Sequence, residues 1–344
     1  MEALVIHAPG DLRVEEFETA ELGAGQLQVR VRCGGICGSD LHYYQHGGFG
    51  AIRIKEPMVL GHEVAGVIEA VGTGVTDFKL GERIAISPSR PCGLCTYCQQ
   101  GLQNHCLDMR YYGSAMRTPH VQGAFRQQIV VDTHQAHRLA GSLSDAEGSM
   151  AEPFAVALHA VRRAGSLLGK RVLVTGCGPI GALAIIAARR AGAGHIVATD
   201  VGAHTLGKAL KVGADEVVNV AETPDGLARF TADKGSFDVL FEASGNARAL
   251  VGAFDALRPR GVIVQLGLGG DMTLPINTIV AKEFDLRGAF RFHEEFAVAV
   301  ELLNKGLVDV KPLISATLSY RDSARAFALA ADRSQSMKVI LNFD

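Results

Sequence analysis

The stretch Val172-Leu173-Val174-Thr175-Gly176-Cys177-Gly178-Pro179-Ile180-Gly181 decides the fold of this 344-residue chain. Its first four residues predict a short buried strand, and the G-x-G-x-x-G pattern then opens an apolar helix over 179–191. In such a pattern the first glycine permits a tight turn, the second lets a pyrophosphate approach, and the third lets helix pack on strand. The helix N-terminus supplies amide donors to phosphate. The stretch therefore predicts the first βα unit of a dinucleotide-binding sheet.

An acidic residue supports this interpretation. Asp200 closes the next predicted strand, 24 residues after Gly176. A carboxylate at that place binds ribose hydroxyls and repels a 2′-phosphate, so NAD is favoured over NADP. No arginine follows in 201–205, which removes one contact for a 2′-phosphate. The alternative is an ordinary glycine-rich turn followed by a strand-ending aspartate.

Strand and helix patterns divide the rest of the chain into two parts. From about residue 165, predicted strands alternate with helical stretches, which indicates a six-stranded, doubly wound parallel sheet in an α/β protein. These strands are 171–175, 195–199, 216–219, 237–242, 262–266 and 284–286. The first 140 residues carry short β patterns and long loops, typical of a β-rich domain. A final strand at 338–342 is placed to return to that domain.

Composition excludes several classes of protein. Apolar residues make up 48% of the chain and charged residues 20%, which is typical of a folded protein. The net charge of −2 gives no basic excess for nucleic acid or an acidic membrane surface. No stretch is long and apolar enough for a membrane span, and the N-terminus has no signal-peptide pattern. We therefore expect a cytoplasmic protein without nucleic-acid or membrane partners.

Four of the seven cysteines crowd into one short segment. Cys92, Cys95, Cys98 and Cys106 form the spacing C-x2-C-x2-C-x7-C. Four thiolates this close can converge on one tetrahedral ion, which predicts a structural zinc site. Free thiols and an iron–sulfur cluster are the alternatives.

Three separated segments offer a second set of metal ligands. Residues 37–42 read Cys-Gly-Ser-Asp-Leu-His, residues 61–63 read Gly-His-Glu, and Glu152 precedes a proline. Cys, His and Glu together can make an open zinc site that keeps a position for water or substrate. From the residues alone, packed core side chains are an equal alternative.

These motifs, in this order, resemble the zinc-dependent medium-chain dehydrogenase/reductase superfamily. Gly61-His62-Glu63-x2-Gly66-x5-Gly72-x2-Val75 matches its zinc signature, and the resemblance covers essentially the whole chain. It implies a GroES-like catalytic domain over 1–145 and 288–344, and a Rossmann NAD-binding domain over 146–287. It also implies an oxidoreductase with two zinc ions per chain, one catalytic and one structural, and a homodimer or homotetramer.

The resemblance also assigns roles to residues. Cys37 and His62 are implied as catalytic zinc ligands, with Glu152 as a third ligand, directly or through water. Glu63 is implied either at the metal or beside it, and Asp40 orients His62. Ser39 is implied to hydrogen-bond the substrate alcohol, and His42 to form the outer end of a proton relay. The implied NAD contacts are Gly176, Gly178, Pro179, Ile180, Gly181, Asp200, Leu266, Gly267, Leu268, Phe290 and Arg291.

Within the superfamily the chain resembles the polyol branch of sorbitol dehydrogenases, through residues 41–44, 56–63 and 290–292. Segments 43–45, 89–93, 109–116, 119–125 and 288–292 are similar to members that interconvert the sugar acid L-idonate and 5-keto-D-gluconate. A sugar acid needs a cation for its carboxylate, and the candidates are Arg110, Arg117 and Arg291. Tyr43, Tyr111 and Phe125 are candidates to line the pocket.

Other functions remain open at this point. A neutral polyol such as sorbitol or xylitol, L-threonine or butanediol would suit the same chemistry. More distant alternatives are a non-catalytic NAD-binding protein and a zinc-free reductase on the same fold. The complete set of Cys37, Ser39, His62 and Glu152 argues against both.

Overall fold

The computed structural model describes residues 1–344. Strands and helices are numbered in chain order. The first part of the chain contributes the strands β1 (Glu2–Ala8), β2 (Asp11–Glu16), β3 (Gln26–Gly35), β4 (Gly48–Phe49), β5 (Ile52–Arg53), β6 (Met58–Val59), β7 (Glu63–Val71), β8 (Arg83–Ile86), β9 (Ser89–Arg90), β10 (Arg110–Tyr111), β11 (Gln128–Asp132) and β12 (Ala136–Arg138). The later strands are β13 (Arg171–Thr175), β14 (His195–Asp200), β15 (Glu216–Asn219), β16 (Phe237–Glu242), β17 (Leu257–Gln265), β18 (Asp285–Gly288), β19 (Ile314–Ser319) and β20 (Lys338–Asn342).

Ten α-helices connect or cover these strands. They are α1 (Gly38–His46), α2 (Thr96–Gln99), α3 (Asp145–Ser149), α4 (Ala151–Ala164), α5 (Pro179–Arg190), α6 (Ala203–Lys211), α7 (Ala247–Gly252), α8 (Ile276–Lys282), α9 (Glu295–Asn304) and α10 (Ser323–Ala331). None of them is both long enough and apolar enough to cross a membrane.

The parallel sheet forms as the alternating pattern predicts. Its six strands lie in the order β15-β14-β13-β16-β17-β18, and every neighbouring pair is parallel. The order reverses between β13 and β16, so a crevice opens at the carboxyl ends of these two strands, where ligands bind in such folds. The predicted α/β class is confirmed. The largest difference in extent is at β17, which begins at Leu257, five residues before the predicted start.

The β-rich part centres on a second sheet with the order β12-β8-β7-β3-β20-β19, and β11 also pairs with β3. The C-terminal strand β20 lies antiparallel to β3, with Ile340 opposite Gly35. The predicted return of the chain to its first part is therefore confirmed.

This pairing places the ends of three strands beside one another. Glu63, at the start of β7, lies opposite Gly35 at the end of β3. β20 begins on the other side of the same strand end. The helix α4 begins nearby and packs between α5 and α9 in a large apolar cluster that spans both parts of the chain. The candidate residues for a metal site thus meet beside α4, a helix that contacts strands of both sheets.

Candidate active site

Cys37, His62 and Glu63 form a compact group, with one potential ligand atom from each within 4.8 Å of the others. Cys37 is the residue that precedes α1. Its backbone N–H donates to Asp40 Oδ2 at 2.9 Å, and the backbone N–H of Gly61 donates to Asp40 Oδ1 at 3.2 Å. Asp40 therefore ties together the two loops that carry Cys37 and His62.

The electrostatics of this group favour a cation. Burial alone would lower the pKa of His62, but the negative charges of Asp40 and Cys37 outweigh it and raise that pKa to about 10. Nδ1 of His62 lies 3.8 Å from Asp40 Oδ1 and is buried without a hydrogen-bond partner. Sulfur, imidazole nitrogen and carboxylate oxygen are the donors that zinc prefers. The residues present fit a zinc ion.

Glu63 has a partner that the sequence analysis missed. The ammonium of Lys338 donates to both carboxylate oxygens of Glu63, at 2.8 and 2.7 Å, and to the backbone oxygen of Ile36 at 3.1 Å. Both side chains are buried. The only signal for Lys338 was a lysine at the start of an otherwise apolar terminal strand. The pair compensates one of the negative charges beside Cys37.

Glu152 reaches the same place from the first turn of α4, but its carboxylate lies outside the compact group. It is buried and accepts a hydrogen bond from the hydroxyl of Tyr111. Burial raises the pKa of Glu152 to about 7, although the positive charge of His62 opposes this. The Glu152 carboxylate interacts electrostatically with His62, and the Tyr111 hydroxyl restrains it.

Ser39 and His42 lie three residues apart on α1, a spacing that puts them on one side of the helix. Ser39 is half-buried, whereas His42 is exposed. The pKa of His42 is lowered, because part of its ring is buried and because the charge of the neighbouring His46 disfavours a second positive charge. A group that is largely neutral at neutral pH and open to water can accept a proton from the interior.

A cavity of about 220 Å³ lies next to Tyr111 and is lined by residues 106–109, Tyr111, Ser114, Met116, Arg117, Val121 and Arg291. The Arg291 guanidinium lies 4.1 Å from the centre of the Tyr111 ring and forms no ion pair. Arg117 is paired with Asp108. The cavity thus combines one unpaired cation with one cation that an acidic side chain already neutralises.

Three predicted substrate residues do not reach this cavity. Arg110 is exposed, because β10 alternates and turns Tyr111 inward instead. Phe125 is fully buried and packs near Phe343, so the aromatic ring predicted to line the pocket fills the core. Tyr43 is likewise buried, and its hydroxyl accepts a hydrogen bond from the Ala115 N–H at 3.0 Å. Of the three aromatic candidates, Tyr111 is the one at the cavity.

The glycine-rich loop has the geometry of a phosphate cradle. Gly176 has a φ of +86°, which the tight turn requires. A Cβ at Gly181 would lie 1.8 Å from the backbone oxygen of Gly176, whereas a Cβ at Gly178 would meet nothing within 4 Å. The space in front of Gly178 is therefore open to a ligand. Pro179 and Ile180 start α5 behind it.

The other predicted cofactor contacts lie at the same edge of the sheet. Asp200 Oδ2 accepts from the Cys177 N–H at 2.6 Å, and Asp200 Oδ1 accepts from Val201 and Gly202. Leu266, Gly267 and Leu268 follow β17, and Phe290 and Arg291 follow β18. The residues fit a dinucleotide that crosses the carboxyl ends of the strands. The backbone oxygen of Phe290 accepts from Asn104 Nδ2 at 3.0 Å, which joins this edge to the cysteine segment.

The four clustered cysteines converge, with their sulfur atoms within 4.8 Å of one another. Backbone N–H groups point at the sulfurs: Cys92 N–H donates to Cys106 Sγ at 3.1 Å, and Cys95 N–H to Cys92 Sγ at 3.3 Å. Such donors, from Cys98 and Leu107, lower the pKa of Cys95 to about 6. Four sulfur donors with no other ligand fit a structural zinc ion.

Comparison with known proteins agrees with both parts of the fold. Residues 23–141 match the family model of the alcohol dehydrogenase GroES-like domain, and residues 179–305 match that of the zinc-binding dehydrogenases. L-idonate 5-dehydrogenase (NAD(P)(+)) from Escherichia coli K12 is 44% identical over 92% of this chain and 91% of that protein. Sorbitol dehydrogenase from Bacillus subtilis 168 is 34% identical over 99% of this chain and 97% of that protein.

Solved structures show the same similarity. The crystal structure of L-idonate 5-dehydrogenase from Escherichia coli superposes with a TM-score of 0.96 and 41% identity, covering 99% of this chain and 98% of that one. The cysteine segment and the Cys37–His62–Glu63 group lie within residues 23–141, which match the GroES-like family model. The chain therefore belongs to the family of zinc-dependent medium-chain alcohol and polyol dehydrogenases.

Proposed function

We propose that this protein is an NAD-linked, zinc-dependent dehydrogenase of a sugar acid, and that it interconverts L-idonate and 5-keto-D-gluconate. The observation that carries the proposal is the unpaired Arg291 guanidinium in a cavity lined by Tyr111, whose ring lies 5.8 Å from that of His62, centre to centre. An unpaired arginine can grip a carboxylate through two parallel hydrogen bonds. The 44% identity to an L-idonate 5-dehydrogenase supports the same substrate class.

Two metal sites belong to the proposal. Cys37 and His62 would hold a catalytic zinc, with Glu63 or Glu152 as the third protein ligand, and the four clustered cysteines would hold a structural zinc. Zinc bound at the first site would polarise the substrate alcohol as a Lewis acid. Because Lys338 engages both oxygens of Glu63, we propose Glu152 as the carboxylate that moves when the site is occupied.

The protein's own side chains handle the proton. We propose that the alcohol proton passes to Ser39 Oγ and leaves towards the His42 ring, which is exposed. Hydride transfer then needs only the correct placement of the carbinol carbon against the nicotinamide, which the protein supplies by orientation. We propose that a catalytic domain of residues 1–145 and 288–344 binds the substrate. A Rossmann domain of residues 146–287 binds the cofactor. NAD is the preferred cofactor because Asp200 repels a 2′-phosphate.

The protein is proposed to work as a homodimer, with a homotetramer as the larger form. The strand β18 is one of the two edge strands of the parallel sheet. Leu286 on this strand and Ile276 and Val280 on the helix α8 are exposed. An unpaired strand edge with apolar neighbours favours pairing with a second copy. Size-exclusion chromatography with light scattering measures the molar mass of the oligomer and so tests this proposal.

The test is NADH formation by the zinc-loaded protein with L-idonate, D-gluconate, sorbitol, xylitol and L-threonine at matched concentration. We expect the rate with L-idonate to exceed the rates with sorbitol and xylitol by at least about tenfold, because these neutral polyols offer no carboxylate to Arg291. The matched variant is Arg291→Gln, measured at saturating NAD because Arg291 is also a predicted cofactor contact; the ratio of its rate on L-idonate to its rate on sorbitol should lose this advantage.

A neutral polyol is the second candidate, since sorbitol dehydrogenase is 34% identical over nearly the whole chain. A rate on sorbitol or xylitol above that on L-idonate would establish it. In that case the metal and cofactor assignments stay, and the carboxylate role of Arg291 falls.

A further inference from the structure

Tyr111 stands between two functional groups that do not touch each other. Its hydroxyl donates a hydrogen bond to Glu152 Oε1, and the Arg291 guanidinium lies 4.1 Å from the centre of its ring. The ring is also 5.8 Å from that of His62, centre to centre. Tyr111 itself is buried and lines the 220 Å³ cavity. One side chain therefore borders the metal end and the carboxylate end of the same pocket.

The ring fixes the direction of the arginine. A guanidinium that lies over an aromatic face keeps its N–H donors around the rim of its own plane. The Nη2 of Arg291 contacts the sulfur of Met116 at 3.0 Å, and no carboxylate pairs with the guanidinium. Its remaining donors are free for a carboxylate within the cavity. The ring thus prepares Arg291 for a bidentate contact.

The hydroxyl fixes the direction of the carboxylate. The Tyr111 hydroxyl is the one hydrogen-bond partner of Glu152 in the structure. A carboxylate with one oxygen held presents the other oxygen in a defined direction. Without the hydroxyl, the buried Glu152 side chain could rotate and offer either oxygen to the Cys37–His62 group. The hydroxyl therefore sets how Glu152 faces that group.

We infer that Tyr111 is a positioning residue whose hydroxyl holds Glu152 and whose ring holds Arg291, so that it couples acid recognition to the metal end of the pocket. The inference rests on the proposed function for the identity of the substrate, but the role of the hydroxyl does not depend on that identity. Tyr111 holds two groups that act on opposite ends of a sugar acid. Its two parts can be removed separately.

Tyr111→Phe removes the hydroxyl and keeps the ring. We expect kcat with L-idonate to fall about tenfold while KM changes less than about twofold. In protein with Co²⁺ in place of zinc, we expect the visible absorption bands to shift, because Glu152 changes its position at the metal. The control is Tyr112→Phe, whose hydroxyl bonds to Gln135 at 3.2 Å, away from this pocket. It should leave kcat, KM and the cobalt bands unchanged.

Tyr111→Leu removes the ring as well. We expect KM for L-idonate to rise at least about tenfold beyond that of Tyr111→Phe, with no matching rise for sorbitol. A cobalt shift in Tyr111→Phe together with inactivity of the wild type on L-idonate would remove the proposed substrate and support the role of the hydroxyl. Wild-type kcat and wild-type cobalt bands in Tyr111→Phe would overturn the inference, whatever the substrate.

Discussion

The ammonium of Lys338 donates to both carboxylate oxygens of Glu63, across 275 residues of sequence. Burial would lower the pKa of Lys338, but Glu63 and Cys37 outweigh it and raise that pKa. The lysine is therefore charged, and it neutralises Glu63 inside the protein. Each charge relies on the other for its stabilisation, because both side chains are buried away from water.

We predict that Lys338→Met lowers the free energy of unfolding by about 3–5 kcal/mol, since it leaves a buried carboxylate unpaired. Urea denaturation measures the loss. The control is Lys305→Met, which breaks the exposed pair with Glu301 and should cost less than about 1 kcal/mol. The double variant Lys338→Met/Glu63→Gln should recover part of the loss. Equal losses of unfolding free energy in Lys338→Met and Lys305→Met would contradict the stabilising role of the buried Lys338–Glu63 pair.

Cys37 and Cys33 lie four residues apart and allow a matched comparison. We predict that Cys37→Ala lowers turnover by at least about 1,000-fold while the protein still binds NADH, because the proposed catalytic zinc would lose its sulfur ligand. Cys33 is buried in the core strand β3, and burial raises its pKa to about 12. Cys33→Ala should therefore retain activity within a few-fold. Turnover of Cys37→Ala at the wild-type rate would refute the metal assignment.

The cysteine segment is predicted to hold its own zinc ion. Cys95→Ser should reduce the metal content from the proposed two zinc ions per chain to one and lower the melting temperature, because a structural zinc contributes folding energy. Elemental analysis and calorimetry check both. Cys37→Ala should lose the other ion with a smaller change in melting temperature. Two retained zinc ions in Cys95→Ser would speak against a four-sulfur site.

Asp200 is predicted to set the choice of cofactor. Asp200→Ala should shift the ratio of kcat/KM for NAD over NADP by at least about tenfold towards NADP, because the repulsion of the 2′-phosphate is lost. Initial rates with both cofactors give the ratio. Asp215→Ala is the control, since Asp215 pairs with Arg189 and lies before β15. An unchanged ratio in Asp200→Ala would place the discrimination elsewhere.

The lowered pKa of Glu295 makes the free energy of unfolding depend on pH in the acidic range. Burial would raise its pKa, but hydrogen bonds from His159 and from backbone N–H groups outweigh burial and lower the pKa from its ordinary 4.5 to about 2. A lowered carboxyl pKa stabilises the folded state above pH 4.5, and the gain is lost as pH falls towards 2. The gain is about 3 kcal/mol at most. Unfolding of wild type and Glu295→Gln between pH 3 and 7 should show a shallower slope in the variant, and parallel curves would contradict this.

Much of the fold could be predicted because its signals are local. The strands at 171–175, 216–219, 237–242 and 338–342 have the predicted bounds. The start of β17 was missed because Arg258-Pro259-Arg260 is exposed and polar, which hides a strand from a search for apolar runs. Pairing of Leu257 with Phe237 of β16 sets the start of the strand, and Arg258, Pro259 and Arg260 lie at an irregularity between that pair and the next, Val262 with Val239.

The site was predictable in its ligands but not in the groups that surround them. Residue type could not separate Phe125, which fills the core, from Tyr111, which faces the cavity. The hydroxyl contact of Tyr111 with Glu152 and the Lys338–Glu63 pair join segments distant in sequence. Such contacts are properties of the folded chain, and no spacing rule indicates them.

The return of β20 to β3 also has a consequence for synthesis. Glu63 emerges early from the ribosome, whereas its partner Lys338 emerges 275 residues later. At about 5–20 residues per second, translation separates the two by tens of seconds. Throughout that interval a nascent chain carries Cys37, His62 and Glu63 without the cation that balances them, so a metal captured during translation would meet a more negative site than the finished protein offers.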